Sequence, residues 1–226
     1  MTAEFRLDLH VHSDRSPDSR LSLDAIAARV RTLGLNGFAL TDHNTIDGFP
    51  GLRDLQSRHP DLVVVPGVEV STHEGHLLAY GVASLPPIRR PLEETVRWIR
   101  DHGGEAVLPH PFRFFHGVGE RASQRVDIRA IETLNGQTSA HANRAAAAVA
   151  ARRRLAGTGG SDGHTLAGVG RAYTTFDPVP ASAEDVLESI RRATTRADGA
   201  SLGVGGRLRW LLRNAALRSA RGFRAI

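Results

Sequence analysis

A residue able to bind a metal or carry a proton stands at or just past the carboxyl end of one strand-like segment after another. Phe5–His12 alternates apolar and polar side chains and ends on His10 and His12. Gly37–Thr41 runs into Asp42 and His43, and Leu62–Val70 carries Glu69. Ala106–Leu108 leads into Pro109, His110 and Pro111, and Gly157–Asp162 ends on Asp162. Further strands are expected at His76–Val82, Ala130–Asn135 and Arg171–Phe176. Helical patterns lie between them. Ser22 is an N-cap for Leu23–Leu33 with Gly34 as its stop, and helices are expected at Pro91–His102, 139–153, Ala183–Ala193 and 206–220. Strand-then-helix units predict a parallel sheet with covered faces. In a barrel all the strand ends converge on one mouth, whereas an open sheet has a single crevice at its switch point. Polar residues on so many strands therefore predict an α/β chain closed like a barrel.

These residues form a consistent chemical set. The chain has no cysteine, so a bound metal must be held by imidazole and oxygen. His10 and His12, two apart on a strand, share one face and can meet one ion. Glu69 sits where a strongly apolar strand surfaces, and a buried carboxylate there needs a cation or hydrogen-bond donors. His110 is held between two prolines, and Asp162 with His164 lies in a glycine-rich loop of little steric bulk.

The formal charge of +5 is misleading. Every basic residue is arginine, and residues 201–226 hold six of the 29 with no acid, which leaves residues 1–200 close to neutral. A wide basic groove for duplex nucleic acid is not expected of such a body. Residues 1–204 read as one domain, and 205–226 as a basic helical tail packed on it or touching an acidic surface, membrane or nucleic acid. The opening MTAEFRLDLH has no apolar run long enough for a signal peptide or a membrane span, so a cytoplasmic location is expected.

The motifs DLHVHS, TDH, GVEVST, GHLLAYG, HPF and GGSDGHT, in that order across residues 5–176, resemble the polymerase-and-histidinol-phosphatase (PHP) family of metal-dependent phosphoesterases. ETLNGQ with the later Asn143 is similar to compact members lacking a large inserted domain. The resemblance implies a distorted barrel of seven β/α units. It also implies nine metal ligands, His10, His12, Asp18, His43, Glu69, His76, His110, Asp162 and His164, which hold two or three divalent ions with Glu69 as a bridge. Asp14 competes with Asp18 for its place. Asp18 stands where the histidinol-phosphate branch can have histidine; its oxygen shifts preference toward manganese, iron or magnesium over zinc, though zinc stays a candidate. Asp42 is expected to orient the ligands from behind. His59, His73, His102, His116 and His141 match no ligand position, and His116 is the closest of these to the mouth.

The function expected from the resemblance is hydrolysis of a small phosphomonoester, a nucleotide, sugar or amino-alcohol phosphate, by a metal-bound hydroxide at a trinuclear centre. Glu69, Asp162 and His164 would carry the chemistry, and Arg113 and Arg171 would bind phosphate oxygens. Two alternatives remain at this point. One is a phosphodiesterase or 3′–5′ exonuclease acting on nucleic-acid ends, against which the lack of an evident aromatic stripe argues. The other is a non-catalytic metal-binding module, against which the complete ligand set argues.

Overall fold

The computed structural model describes residues 4–203. The elements in chain order are β1 (Arg6–Val11), α1 (Leu23–Thr32), β2 (Gly37–His43), α2 (Phe49–Arg58), β3 (Val63–Ser71), β4 (His76–Tyr80), α3 (Leu92–Asp101) and β5 (Glu105–Leu108). They continue with α4 (Gly119–Arg125), β6 (Ala130–Asn135), α5 (Ala140–Arg153), β7 (Ala156–Gly160), β8 (Ala172–Phe176), α6 (Ala183–Arg191) and β9 (Thr195–Gly199). Helix starts follow local chemistry. Ser22, Ser139 and Ser182 each accept a hydrogen bond from the backbone N–H three residues on, which satisfies a donor that the helix itself leaves open. The expected helix at 206–220 and the 205–226 tail lie outside the described residues.

All nine strands among the described residues belong to one sheet, ordered β7-β6-β5-β4-β3-β2-β1-β8-β9. The wholly parallel sheet expected from strand–helix alternation is not what forms. β1–β2, β2–β3, β5–β6 and β6–β7 pair parallel, but β3–β4, β4–β5, β1–β8 and β8–β9 pair antiparallel. Only Thr72–Gly75 connect β3 to β4, too short a stretch for a parallel crossover. Helices α2 and α4 and strand β9 were not expected either. β9, TRADG, has no apolar alternation and is held by its backbone ladder to β8.

The sheet curls until its far strands meet. Gly163, just past β7, exchanges backbone hydrogen bonds with β1: His12 N–H donates to Gly163 O at 3.1 Å and Gly163 N–H to His10 O at 3.2 Å. Beside this seam Thr174 of β8 accepts from Gly159 N–H at 2.8 Å and donates to Gly159 O at 2.9 Å. Glycine is required at the end of β7. A Cβ on Gly159 would sit 2.2 Å from Tyr173 O, and one on Gly160 2.3 Å from the Cβ of His10.

Inside the barrel, Leu7, Leu9, Ala39, Val65, Leu78, Tyr80, Val107 and Ala130 pack with Val186, Leu187 and Ile190 of α6. This apolar plug fills one end. Tyr80 makes its hydroxyl bond there to Leu9 O at 2.6 Å. Two outer cores lie under the helices, one around α1 and α2 and one around α3 and α5. Along β3 the sides alternate: Val65 points in, Val64, Val68 and Val70 point out, and Glu69 therefore points in.

β1 reaches the same interior by a different route. Asp8 pairs with Phe38 and Val11 with Leu40, so Leu9 and His10 together oppose the single residue Ala39. This β-bulge shifts the phase of the strand, so that Leu9 and His10 both face inward and His12 follows His10.

Candidate metal centre

Each of the nine expected ligand residues is buried, and they meet at the end of the barrel opposite the apolar plug. Glu69 is the hub. Its Oε2 lies 3.3 Å from His10 Nε2, 3.4 Å from His12 Nε2 and 3.2 Å from His43 Nδ1. Its Oε1 lies 2.8 Å from His76 Nδ1 and 2.9 Å from His110 Nε2. Asp162 Oδ1 is 3.4 Å from both His12 Nε2 and His164 Nδ1. Asp18 Oδ2 is 3.1 Å from His164 Nε2 and 3.7 Å from His43 Nε2. Asp14 is half exposed and faces Arg15, so Asp18 is the aspartate at the cluster.

Three overlapping groups have donor atoms within 4.8 Å of one another: His12 with His43 and His164; His10 and His12 with Glu69 and Asp162; His43 and Glu69 with His76. Asp18 extends the first group and His110 the third. The donor chemistry fits divalent cations. His10 Nε2, His12 Nε2, His43 Nδ1, Glu69 Oε2 and Asp18 Oδ1 are all buried without a hydrogen-bond partner, an arrangement that is costly unless a cation lies among them.

The charges of the cluster depend on one another. Burial opposes ionisation of Glu69, but His76, His43 and His10 hold its pKa well below the usual carboxylate range. Burial likewise opposes ionisation of Asp162, yet Arg113 and then His10 keep it well below that range. Burial lowers His12, His43 and His110, which keeps these imidazoles neutral with a lone pair to offer. His10 departs from this pattern. Burial lowers it, but Glu69, Glu132 and Asp162 raise it well above the ordinary value.

A ring of supporting groups sets which nitrogen of each imidazole faces inward. His10 Nδ1–H donates to Glu132 Oε1 at 3.1 Å, leaving Nε2 toward Glu69. Glu132 Oε2 also accepts from His110 N–H at 2.8 Å and from Asn135 Nδ2 at 2.9 Å. Ser16 Oγ accepts from His12 Nδ1–H at 3.1 Å and from His43 N–H at 3.0 Å, and donates to Asp42 Oδ1 at 3.0 Å. Asp42 also accepts from the N–H and hydroxyl of Ser13, both at 2.6 Å. Asp42 thus lies behind the ligands, linked to His12 through Ser16.

Asp8, Ser16 and Glu132 escaped the sequence reading. Asp8 is fully buried and accepts from His10 N–H (3.2 Å), Ser161 N–H (2.8 Å) and Gly170 N–H (2.8 Å), tying β1 to the loop that carries Asp162 and His164. Burial raises its pKa to about 6 against these three bonds. A usable signal existed for Glu132: like Glu69, it is a carboxylate on an otherwise apolar strand, AIETLN. Glu132→Gln should weaken metal affinity about 10- to 100-fold, the usual effect of losing such a partner, which metal titration would measure. Unchanged affinity would show that Asn135 and the strand suffice to orient His10.

The two expected phosphate-binding arginines differ. Arg113 NH1 lies 2.5 Å from Asp162 Oδ2, at the edge of the cluster. Arg171 is not brought into an ion pair with any of the nine, and its Nε is buried without a hydrogen-bond partner. Of the other histidines, His116 alone touches the site: its ring stacks on His76 with centroids 4.5 Å apart. His102 instead stacks on Trp98.

Comparison with known proteins follows the same lines. The PHP domain pattern matches residues 8–115 and the PHP-associated pattern residues 140–195. The uncharacterized protein MJ1587 of Methanocaldococcus jannaschii is 30% identical over 141 residues, 58% of this chain and 81% of that protein. The fold is similar to PsfC from Pseudomonas syringae PB-5123, with a TM-score of 0.72 at 21% identity over 97% of this chain and 100% of the other. It is also similar to the lesion-specific endonuclease PfuEndoQ from Pyrococcus furiosus, with a TM-score of 0.66 at 15% identity over 86% of this chain and 58% of that one.

Proposed function

Because the chain belongs to the PHP family of metal-dependent phosphoesterases, we propose that it hydrolyses a small phosphomonoester at a trinuclear centre held by His10, His12, Asp18, His43, Glu69, His76, His110, Asp162 and His164. The observation that carries this reading is Glu69, whose two oxygens face two different sets of imidazoles across three overlapping groups of donors. Divalent ions of the manganese, iron or zinc type, with magnesium a further candidate, would polarise the phosphoryl oxygens and lower the pKa of a shared water.

The protein's own groups set the conditions. Glu132 and Ser16 fix the tautomers of His10 and His12, so that both present Nε2 to the centre. Asp162, flanked by His12 and His164 and kept ionised by Arg113 and His10, would supply an anionic donor beside the reacting phosphate. Arg113, at the Asp162 edge, would neutralise a phosphate oxygen as the ester enters. Arg171 is the weaker candidate of the pair because it forms no ion pair with the nine residues.

The test is a phosphate-release screen over phosphorylated metabolites and short oligonucleotides, with manganese, iron, zinc and magnesium varied in parallel. Release from monoesters is the expected result. Activity on oligonucleotides alone would move the assignment to a phosphodiesterase or exonuclease; the Pyrococcus neighbour is named as a lesion-specific endonuclease. A fully metal-loaded chain inert on every ester would leave a metal-binding module.

A further inference from the structure

We propose that Phe114 and Phe115 form a stacking platform at the mouth of the metal centre and that the ester's leaving group is therefore a planar aromatic one, a nucleobase on its ribose. This rests on the phosphomonoesterase reading and narrows its substrate class to nucleoside phosphates.

Phe114 is 92% and Phe115 63% exposed, the two most exposed large apolar side chains among the described residues. Their flanking neighbours both touch the site. Arg113 pairs with Asp162, and His116 stacks on His76 while its carbonyl accepts from His76 N–H at 2.9 Å. The two rings thus occupy the tip of a loop pinned to the centre on either side. The loop is built rather than loose. Arg113 N–H donates to His110 O and Gly119 N–H to Pro111 O, both at 2.9 Å, and Gly117 packs so closely that a Cβ would lie 2.5 Å from Arg113 O.

The chemistry of this tip selects among leaving groups. Arg113 and His116 are turned to Asp162 and His76, and between them Phe114 and Phe115 offer no side-chain donor or acceptor for a sugar or an amino alcohol. Phe114 and Phe115 meet edge to face, centroids 4.8 Å apart at 88°, which leaves ring faces open for stacking. With phosphate held at the metals and its charge met by Arg113, a flat, weakly polar group directed outward would lie against these rings.

The experiment is calorimetric binding to the manganese-loaded full chain. The probes are the non-hydrolysable phosphonate analogue of adenosine monophosphate, the matching analogue of glycerol phosphate, hexylphosphonate and inorganic phosphate. In the Phe114→Ala/Phe115→Ala double variant the nucleotide analogue should lose about 5- to 150-fold in affinity, the worth of one base–aromatic stack, while glycerol phosphonate and phosphate bind as before. Phe114→Trp/Phe115→Trp should retain nucleotide binding. Unchanged nucleotide affinity in the alanine variant would overturn the proposal, as would an equal loss for all four ligands or an equal loss for hexylphosphonate. Because binding is read without turnover, a chain that binds nucleotide through these rings yet releases no phosphate would refute the hydrolytic reading and not the platform.

Discussion

Glu69→Gln should abolish phosphate release, with kcat falling about 1,000-fold or more, in a chain that keeps its circular dichroism spectrum. The substitution preserves shape and removes one negative charge. That charge is shared by His10, His12 and His43 through one oxygen and by His76 and His110 through the other. Among the described residues only Glu69 faces five imidazoles; Asp162 faces four and the guanidinium of Arg113. An amide there would present a donor to one set and a weaker acceptor to the other, so ions held by the two sets would lose the carboxylate they would share. Metal-assisted stabilisation of a phosphoryl transition state is worth several kcal/mol, and about 4 kcal/mol corresponds to three orders of magnitude in rate. Phosphate release, read together with metal content by mass spectrometry, decides the matter: wild-type kcat at full metal occupancy would show that Glu69 is not the bridge. His10→Ala and Asp162→Ala should have the same sign, since each removes a donor from the group that contains Glu69.

Exhaustive chelation should be the second large effect, removing activity and lowering the melting temperature together. Without cations the centre leaves several buried nitrogen and carboxylate atoms unpartnered, and ligands that bind only the folded chain stabilise it by mass action. An ion at 100 times its dissociation constant contributes about 2.7 kcal/mol, which for a chain of this size is roughly 5–10 °C in Tm. More than one filled site gives correspondingly more. The effect should also depend on pH in a known direction. Burial lowers His10 and His164, but neighbouring carboxylates, chiefly Glu69 for His10 and Asp18 for His164, raise both pKa values above the ordinary value in the metal-free chain. A protonated imidazole cannot ligate, so metal affinity should begin to fall as pH drops through these raised values, above the ordinary histidine range, and uptake should release protons. Scanning calorimetry of chelated and reloaded protein at two pH values measures all of this. An identical Tm with and without metal would mean that no ion contributes to the fold.

Much of the site was legible before any coordinates. The strand-end histidines and carboxylates, the absence of thiols and the order of motifs pointed to the nine residues that the fold gathers. Ser22 marked a helix start because an N-cap acts within three residues. Where interactions were not local, reading failed. Helix α2 begins at Phe49-Pro50 and buries Phe49, Leu52 and Leu55 at helical spacing, but its charged faces obscured the pattern. The exposed pair Phe114–Phe115 did not register as a binding feature, because sequence does not tell an exposed phenylalanine from a core one. Arg171 was chosen for its nearness in sequence to Asp162, and it forms no ion pair with the nine residues.

What the sequence by itself determined was the chemical inventory and its local placement: which side chains can hold a cation, that most of them lie near the end of a strand, and which positions cap the helices. These follow from residue type and from periodicities of two and 3.6, which are properties of a few neighbouring residues. Strand direction, barrel closure, the bulge that turns His10 inward and the clamp of Asp8 on Ser161 and Gly170 were decided only by the tertiary structure. The reason is that a backbone N–H is satisfied equally by a parallel or an antiparallel partner. The choice falls to packing between segments as far apart as residues 8 and 161, and that packing makes Glu69 the common neighbour of five histidines.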